Sequence, residues 1–139
     1  MIKQNIVFVE NKAGSLKRVT GLLANNNINI YGFACFDAPE FAIFRMICDN
    51  PDKAEIILNQ SGYMNRITQA IVVDMKDQVG GLDELLKIMA DSNVSLDYIY
   101  TSFHRKDLRP VVILHSEDIT VTESVLKNNG FKVFSAADE

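Results

Sequence analysis

The chain has 139 residues, 47% of them hydrophobic and 23% charged, with a net charge of −4 and a mean hydropathy near zero. That is enough for one ordinary domain or two very small ones, and its interspersed charges form no basic face of the kind nucleic-acid binding needs. No run of about 18 apolar residues occurs, so no membrane-spanning helix is expected; the start MIKQNIVFVENK passes from apolar to charged with no small-residue cleavage site, which reads as a first strand in a cytoplasmic protein.

In chain order, NIVFVE is short, β-branched and bounded by turn residues, so it is a strand. ENKAGSL then leads into a helix in which Leu16, Val19, Leu22 and Leu23 recur at helical spacing, with Ser15 near its start. ANNNINI closes that helix and opens a second strand running to about Phe36. DAPEF is a turn, AIFRMIC a third strand and KAEIILNQ a second helix. Gly62 ends that helix, where a left-handed cap favours glycine, and YMNRI is a short fourth strand.

The series then begins again. AIVVDM is a strand and KDQVGGL a turn. Leu82, Leu85, Leu86 and Met89 mark a helix, with Asp83 near its N-terminus, where negative charge is favoured. ADSNVSL opens a strand to about Ser102, HRKDLRP is a solvated hairpin turn and PVVILH a third strand. VTESVLKN is a helix ending near Gly130, and FKVFS is the last strand.

The second series repeats the first. At an offset of 66 (80 − 14), Gly14 falls on Gly80, Val7 on Val73, Leu16 on Leu82, Val19 on Leu85, Leu23 on Met89 and Asn27 on Asn93. Ala42 to Cys48 falls on Leu108 to Leu114 at the same offset, and a slip of two residues then brings SGY onto NGF. Two copies, 1–69 and 70–139, follow without a Gly/Ser/Pro linker. The order β-α-β-β-α-β, twice, predicts an α+β protein of two ferredoxin-like units in tandem, with antiparallel sheets and helices on one face. Runs such as VVIL are apolar on both sides, so the other sheet face is also expected to be covered, by the sister copy or a second chain.

Catalytic sets are hard to find. His104 and His115 have no neighbouring nucleophile and read as surface or edge histidines. The carboxylates sit at strand ends and helix starts. Cys35 and Cys48 have neither CxxC nor zinc spacing, and their apolar neighbours predict buried free thiols. No metal site, no cofactor and no enzymatic activity are expected. What remains is the doubled glycine turn. A helix N-terminus offers free N–H groups and partial positive charge suited to a carboxylate, and a glycine lets a ligand approach the backbone. Asn11 or Asp77, at the strand end, can accept from an ammonium group. A zwitterion suits such a corner; a plain tight turn is the alternative.

ENKAGSLKRVTGLLANNNINIYGF and KDQVGGLDELLKIMADSNVSLDYIY both resemble the start of an ACT domain, with Gly14-Ser15-Leu16 and Gly81-Leu82 in the turn and Asn29-Ile30 and Ser95-Leu96 opening the second strand. The resemblance spans the whole chain as a tandem pair. It implies a regulatory module binding a small amino acid where paired units meet. The implied loop residues are Asn11, Lys12, Ala13, Gly14, Ser15 and Leu16 in one copy, and Asp77, Gln78, Val79, Gly80, Gly81 and Leu82 in the other. Asn29, Ile30, Ser95 and Leu96 are the implied facing positions. Ala13 and Val79 stand where many members have proline. No enzyme domain accompanies the pair, so the resemblance implies a stand-alone regulator signalling to a separate metabolic enzyme or other partner, and the two-sided apolar strands predict a homodimer. The competing reading is a ligand-free oligomerisation or docking module.

Overall fold

The computed structural model describes residues 1–136. The elements are β1 (Ile2–Glu10), α1 (Ser15–Asn25), β2 (Ile30–Asp37), β3 (Phe41–Cys48), α2 (Pro51–Gln60), β4 (Asn65–Asp74), α3 (Gly81–Asp91), β5 (Leu96–Phe103), β6 (Pro110–Ser116), α4 (Ile119–Asn128) and β7 (Val133–Phe134). They form two compact units, Lys3–Thr68 and Met1–Ile2 with the described residues from Gln69 onward. The division falls inside β4: YMNRI and AIVVDM, read as separate strands from the sequence, join in one continuous strand. No residue between them is a turn former, so nothing interrupts the extended chain.

The strand order is β2-β3-β1-β4 in the first unit and β5-β6-β4-β7 in the second. This is the predicted ferredoxin-like arrangement, with antiparallel pairing of β3 to β1 and β2, and of β6 to β4 and β5. Both helices of each unit lie on one sheet face. In the first, Val19 and Leu23 of α1 and Ala54, Ile57 and Leu58 of α2 pack on Val7, Val9, Phe44 and Met46. In the second, Leu85, Met89 and Leu126 pack on Ile71, Val73, Val112 and Leu114. The alternate residues Ile6 and Ile47, and Ala70, Val72, Val111 and Ile113, point to the opposite face and are also buried.

Helix boundaries follow from their ends. Asn50 and Asp118 accept from the N–H groups of Lys53 and Val121, capping α2 and α4. All four helices close with the same paired bonds: Asn27 to Ala24 and Ile28 to Leu23 after α1, with matching pairs at Gly62/Tyr63, Asn93/Val94 and Gly130/Phe131. That geometry requires a left-handed residue, and Asn27, Gly62, Asn93 and Gly130 all have positive φ.

Pairing corrects the alignment of the third strands. Val7 lies opposite Phe44 and Val73 opposite Val112, so Phe44 corresponds to Val112, an offset of 68 (112 − 44). The slip of two residues therefore belongs in the turn between the second and third strands. Both third strands are apolar throughout, so the sequence matches itself almost as well two residues out of register.

Two side chains depart from expectation. Cys35 is exposed and only Cys48 is buried; β2 is an edge strand, with a neighbour on one side alone. His104 is not a surface residue but 8% exposed, its ring centroid 4.6 Å from that of Phe134 and its Nδ1 3.0 Å from Asp107 Oδ1. Burial, opposed by a backbone hydrogen bond at Asn50 and reinforced by the charge of Asp49, pushes the Cys48 thiol above its ordinary range. Burial raises the Cys35 thiol as well, so exposure decides the contrast, and iodoacetamide at mild alkaline pH is expected to modify exposed Cys35 at least about tenfold faster than buried Cys48. Peptide mapping after a timed quench reads the ratio, and equal labelling would contradict this packing.

Among the described residues no helix is long and apolar enough to cross a membrane, and no group of three His, Cys, Asp or Glu side chains could hold a metal ion.

Candidate functional site

The two glycine turns share one backbone. Lys12 N–H bonds to Glu10 O, Ser15 N–H to Lys12 O and Arg18 N–H to Gly14 O; Gln78, Gly81 and Glu84 repeat these bonds to Lys76, Gln78 and Gly80. Gly14 and Gly80 are the N-cap residues, both at φ 83°. A side chain there would meet no atom within 4 Å, so glycine is needed for the left-handed conformation. Gly81 differs. A Cβ at this position would fall 2.0 Å from the Lys76 carbonyl oxygen. The room left by its missing side chain is filled by the chain's own backbone, not kept for a guest.

In the second unit this turn forms one wall of a cleft of about 520 Å³, lined by Met75, Lys76, Asp77, Gln78, Gly80, Gly81, Leu82, Asp83, Leu86 and Thr101. Five candidates, Asp77, Gln78, Gly80, Gly81 and Leu82, are therefore together. Val79 is fully exposed and lies outside the lining. Ser95 belongs to a different hollow, with Asn93, Ser116 and Asp118 among its neighbours, and Leu96 packs against the core.

Topology explains why Thr101 joins the loop and Ser95 and Leu96 do not. β4 is antiparallel to β6, and β6 to β5, so β4 and β5 run the same way. The turn leaves the C-terminal end of β4 and meets the C-terminal end of β5, where Thr101 sits. Sequence reading missed Thr101 for lack of this register. Leu86 could have been found, because it follows Leu82 by one helical turn.

The cleft combines apolar walls (Met75, Leu82, Leu86) with separated charges. Lys76 Nζ pairs with Glu84 Oε1 at 2.9 Å, and Asp83 and Glu84 both lie in the first turn of α3. Asp77 and Asp83 add carboxylates to the lining, and Lys76 and the N–H groups of the first turn of α3 add donors.

In the first unit the candidates are less gathered. Asn11, Lys12, Ala13, Gly14 and Leu16 are exposed. Asn11 Nδ2 donates to Ala38 O at 3.2 Å, and Lys12 Nζ pairs with Glu10 Oε2 at 2.7 Å. Asn29 N–H donates to Asp49 Oδ1 at 3.1 Å, while Ile30 packs on the core. Ser15 is buried against a hollow that also reaches Glu10 and Arg18.

The family model described as an ACT domain pair matches residues 1–137. Among solved structures, protein BT0572 from Bacteroides thetaiotaomicron superposes with a TM-score of 0.89 at 28% identity, covering 99% of this chain and 94% of that one. The ligand-free regulatory subunit of aspartate kinase from Thermus thermophilus gives a TM-score of 0.62 at 14% identity, covering 92% and 91%. The corresponding subunit from Thermus flavus gives 0.59 at 15% identity, covering 91% of each chain. A search of curated proteins found no match.

Proposed function

The chain belongs to the ACT domain pair family, and we propose that it is a regulatory protein whose second unit binds a small amino acid in the Asp77–Leu86 cleft and signals to a separate enzyme or other partner. The observation that carries this reading is the meeting of the glycine turn with Thr101 in one cleft, with carboxylates and donors on the same wall. An apolar hollow with a few convergent polar groups is the usual form of a small-molecule site. Asp77 takes the ammonium group, the α3 N-terminus and Lys76 take the carboxylate, and Met75, Leu82 and Leu86 meet the side chain.

Calorimetric titration with each of the twenty amino acids tests the proposal. One amino acid or a narrow class is expected to give saturable heat. Asp77→Ala should weaken that binding about tenfold or more, the loss of one charge-assisted hydrogen bond, with little change in the urea midpoint, since Asp77 is exposed. Folded protein giving no heat with any of the twenty would overturn it.

A specific observation supports the second reading, assembly without ligand. Phe33 and Phe36 on edge strand β2 and Phe103 on edge strand β5 are 63%, 47% and 64% exposed, and large exposed apolar side chains on unpaired edges favour association. Silent calorimetry together with a dimer in light scattering would favour that reading.

A further inference from the structure

The chain contains one Asn-Gly pair, Asn129-Gly130. It stands at the closing turn of α4, where the first unit has Ser61-Gly62 after α2. The two turns share a backbone. Ser61 has φ −92° and ψ 6°, Asn129 has φ −98° and ψ 14°, and Gly62 and Gly130 both have φ 82°. Gly62 and Gly130 N–H donate to Asn59 O and Lys127 O, each at 3.1 Å, and Tyr63 and Phe131 N–H donate to Leu58 O and Leu126 O, each at 3.0 Å. The side chain is the difference. Serine carries a hydroxyl there, whereas asparagine carries a carboxamide whose carbon can bond to the nitrogen of the following residue.

That reaction is deamidation. The Gly130 nitrogen loses its proton to solvent base and attacks Asn129 Cγ. A C–N bond forms, the Cγ–Nδ2 bond breaks, and the departing nitrogen takes up a proton and leaves as ammonia. Water then opens the cyclic imide at one carbonyl to give aspartate or at the other to give isoaspartate, whose main chain runs through the former side chain. Glycine in the following position favours the attack, because no Cβ shields the nitrogen or restricts the chain. Asn129 and Gly130 are both exposed, so water reaches them. Three features of the closed turn oppose the step. The Gly130 proton that must be lost is held by Lys127 O. Asn129 Nδ2 donates to Val125 O at 2.7 Å, which fixes the carboxamide against the helix. At ψ 14° the Gly130 nitrogen is turned away from Asn129 Cβ; the ring closes only at strongly negative ψ, a rotation that carries Gly130 and Phe131 out of both closing bonds.

We propose that Asn129 is a self-modification site controlled by the end of α4: it stays intact while that turn is closed, and converts to aspartate or isoaspartate when the turn and β7 come away from the sheet. Phe131 keeps the turn closed. It packs against the core of the second unit, in the position where such helix ends carry an apolar contact, and β7 begins two residues later. Reclosing does not undo the conversion. Aspartate replaces the donor Nδ2 by an oxygen facing the Val125 carbonyl, and it places a negative charge at the negative end of α4. Lys127, the basic residue of that turn, is already engaged by Glu123 at 3.3 Å. Isoaspartate lengthens the main chain by one carbon, so the paired bonds to Lys127 and Leu126 no longer fit. Opening thus leaves a permanent mark, and the marked chain opens more readily. The first unit, with Ser61 in this place, has no such reaction.

The test is peptide mapping by mass spectrometry of the full chain, kept in warm, mildly alkaline water enriched in the heavy oxygen isotope, which each ring opening incorporates. Chain unfolded in guanidinium is expected to convert Asn129 at least about tenfold faster than folded chain, because cyclisation waits on local opening, and faster than any other asparagine. Phe131→Ala, where circular dichroism shows it folded, should convert at least about threefold faster than the parent, and Phe131→Leu should fall between the two. Asn129→Ser, which installs the first unit's residue, should show no conversion at this position and a higher urea midpoint than Asn129→Asp, which reproduces the direct product. Four results would overturn the proposal: equal rates at Asn129 in folded and unfolded chain, faster conversion of another asparagine in the unfolded chain, no acceleration in either Phe131 variant, or a midpoint for Asn129→Asp at or above that of Asn129→Ser.

Discussion

Phe134→Ala is expected to lower the stability of the chain by about 3–5 kcal/mol, the usual range for truncating a buried phenylalanine. Phe134 lies in β7, a strand of only two residues, yet it is 1% exposed. It sits opposite Val72 in the β4 pairing, its ring centroid is 4.6 Å from that of His104, and Lys132 Nζ lies 4.9 Å from that centroid on the other contact. Truncation therefore opens a cavity, uncovers a buried imidazole and removes what holds the last strand to the sheet. Urea denaturation of the full chain reads the effect. Phe134→Leu should recover more than half of the loss, because most of the volume is restored. A loss below about 1 kcal/mol for the alanine variant would mean that the side chain is not packed this way.

Gly81→Ala is expected to cost about 2–3 kcal/mol, near the upper end for overpacking. One added carbon would lie 2.0 Å from the Lys76 carbonyl oxygen, and that oxygen already accepts from Gln78 N–H at 2.9 Å. The turn must shift to admit it, as the first unit's turn does, where Ser15 stands at this position and Lys12 N–H still bonds to Glu10 O. Gly80→Ala, one residue earlier, should cost only about 1 kcal/mol, the price of a left-handed conformation in open space. The same denaturation experiment compares the two, and the reverse order would refute this account of the turn. Because Lys76 and Gly81 both line the cleft, Gly81→Ala should also weaken amino-acid binding, whereas a glycine kept only to admit a ligand would affect binding alone.

The repeat was readable from the sequence because backbone constraints leave identifiable residues. Gly62 and Gly130 stand where positive φ is required, and Val19, Leu23, Leu85 and Met89 carry the helical period into the cores. The third strands were misaligned because an apolar run has no internal mark of register; hydrogen bonding between strands, not composition, places Phe44 opposite Val7. Apolar neighbours in sequence do not tell a central strand from an edge strand, so Cys35 reads as buried although edge strand β2 leaves it exposed. At the cleft, the loop from Asp77 to Leu82 was visible as a motif, but Thr101 joins it only through the direction in which β5 runs. Asn27 and Asn93 match in the alignment of the two copies, and the structure shows why: both hold the left-handed conformation that closes α1 and α3.

The hairpin between β5 and β6 is two residues longer than its counterpart between β2 and β3, while every strand ladder on either side of it is kept. The molecule thus contains its own insertion experiment, with a spliced and an unspliced version side by side. A fluorophore or affinity tag placed beside exposed Lys106 would use length already shown to be dispensable to the ladders. The β1–α1 and β4–α3 corners match bond for bond and grant no such latitude.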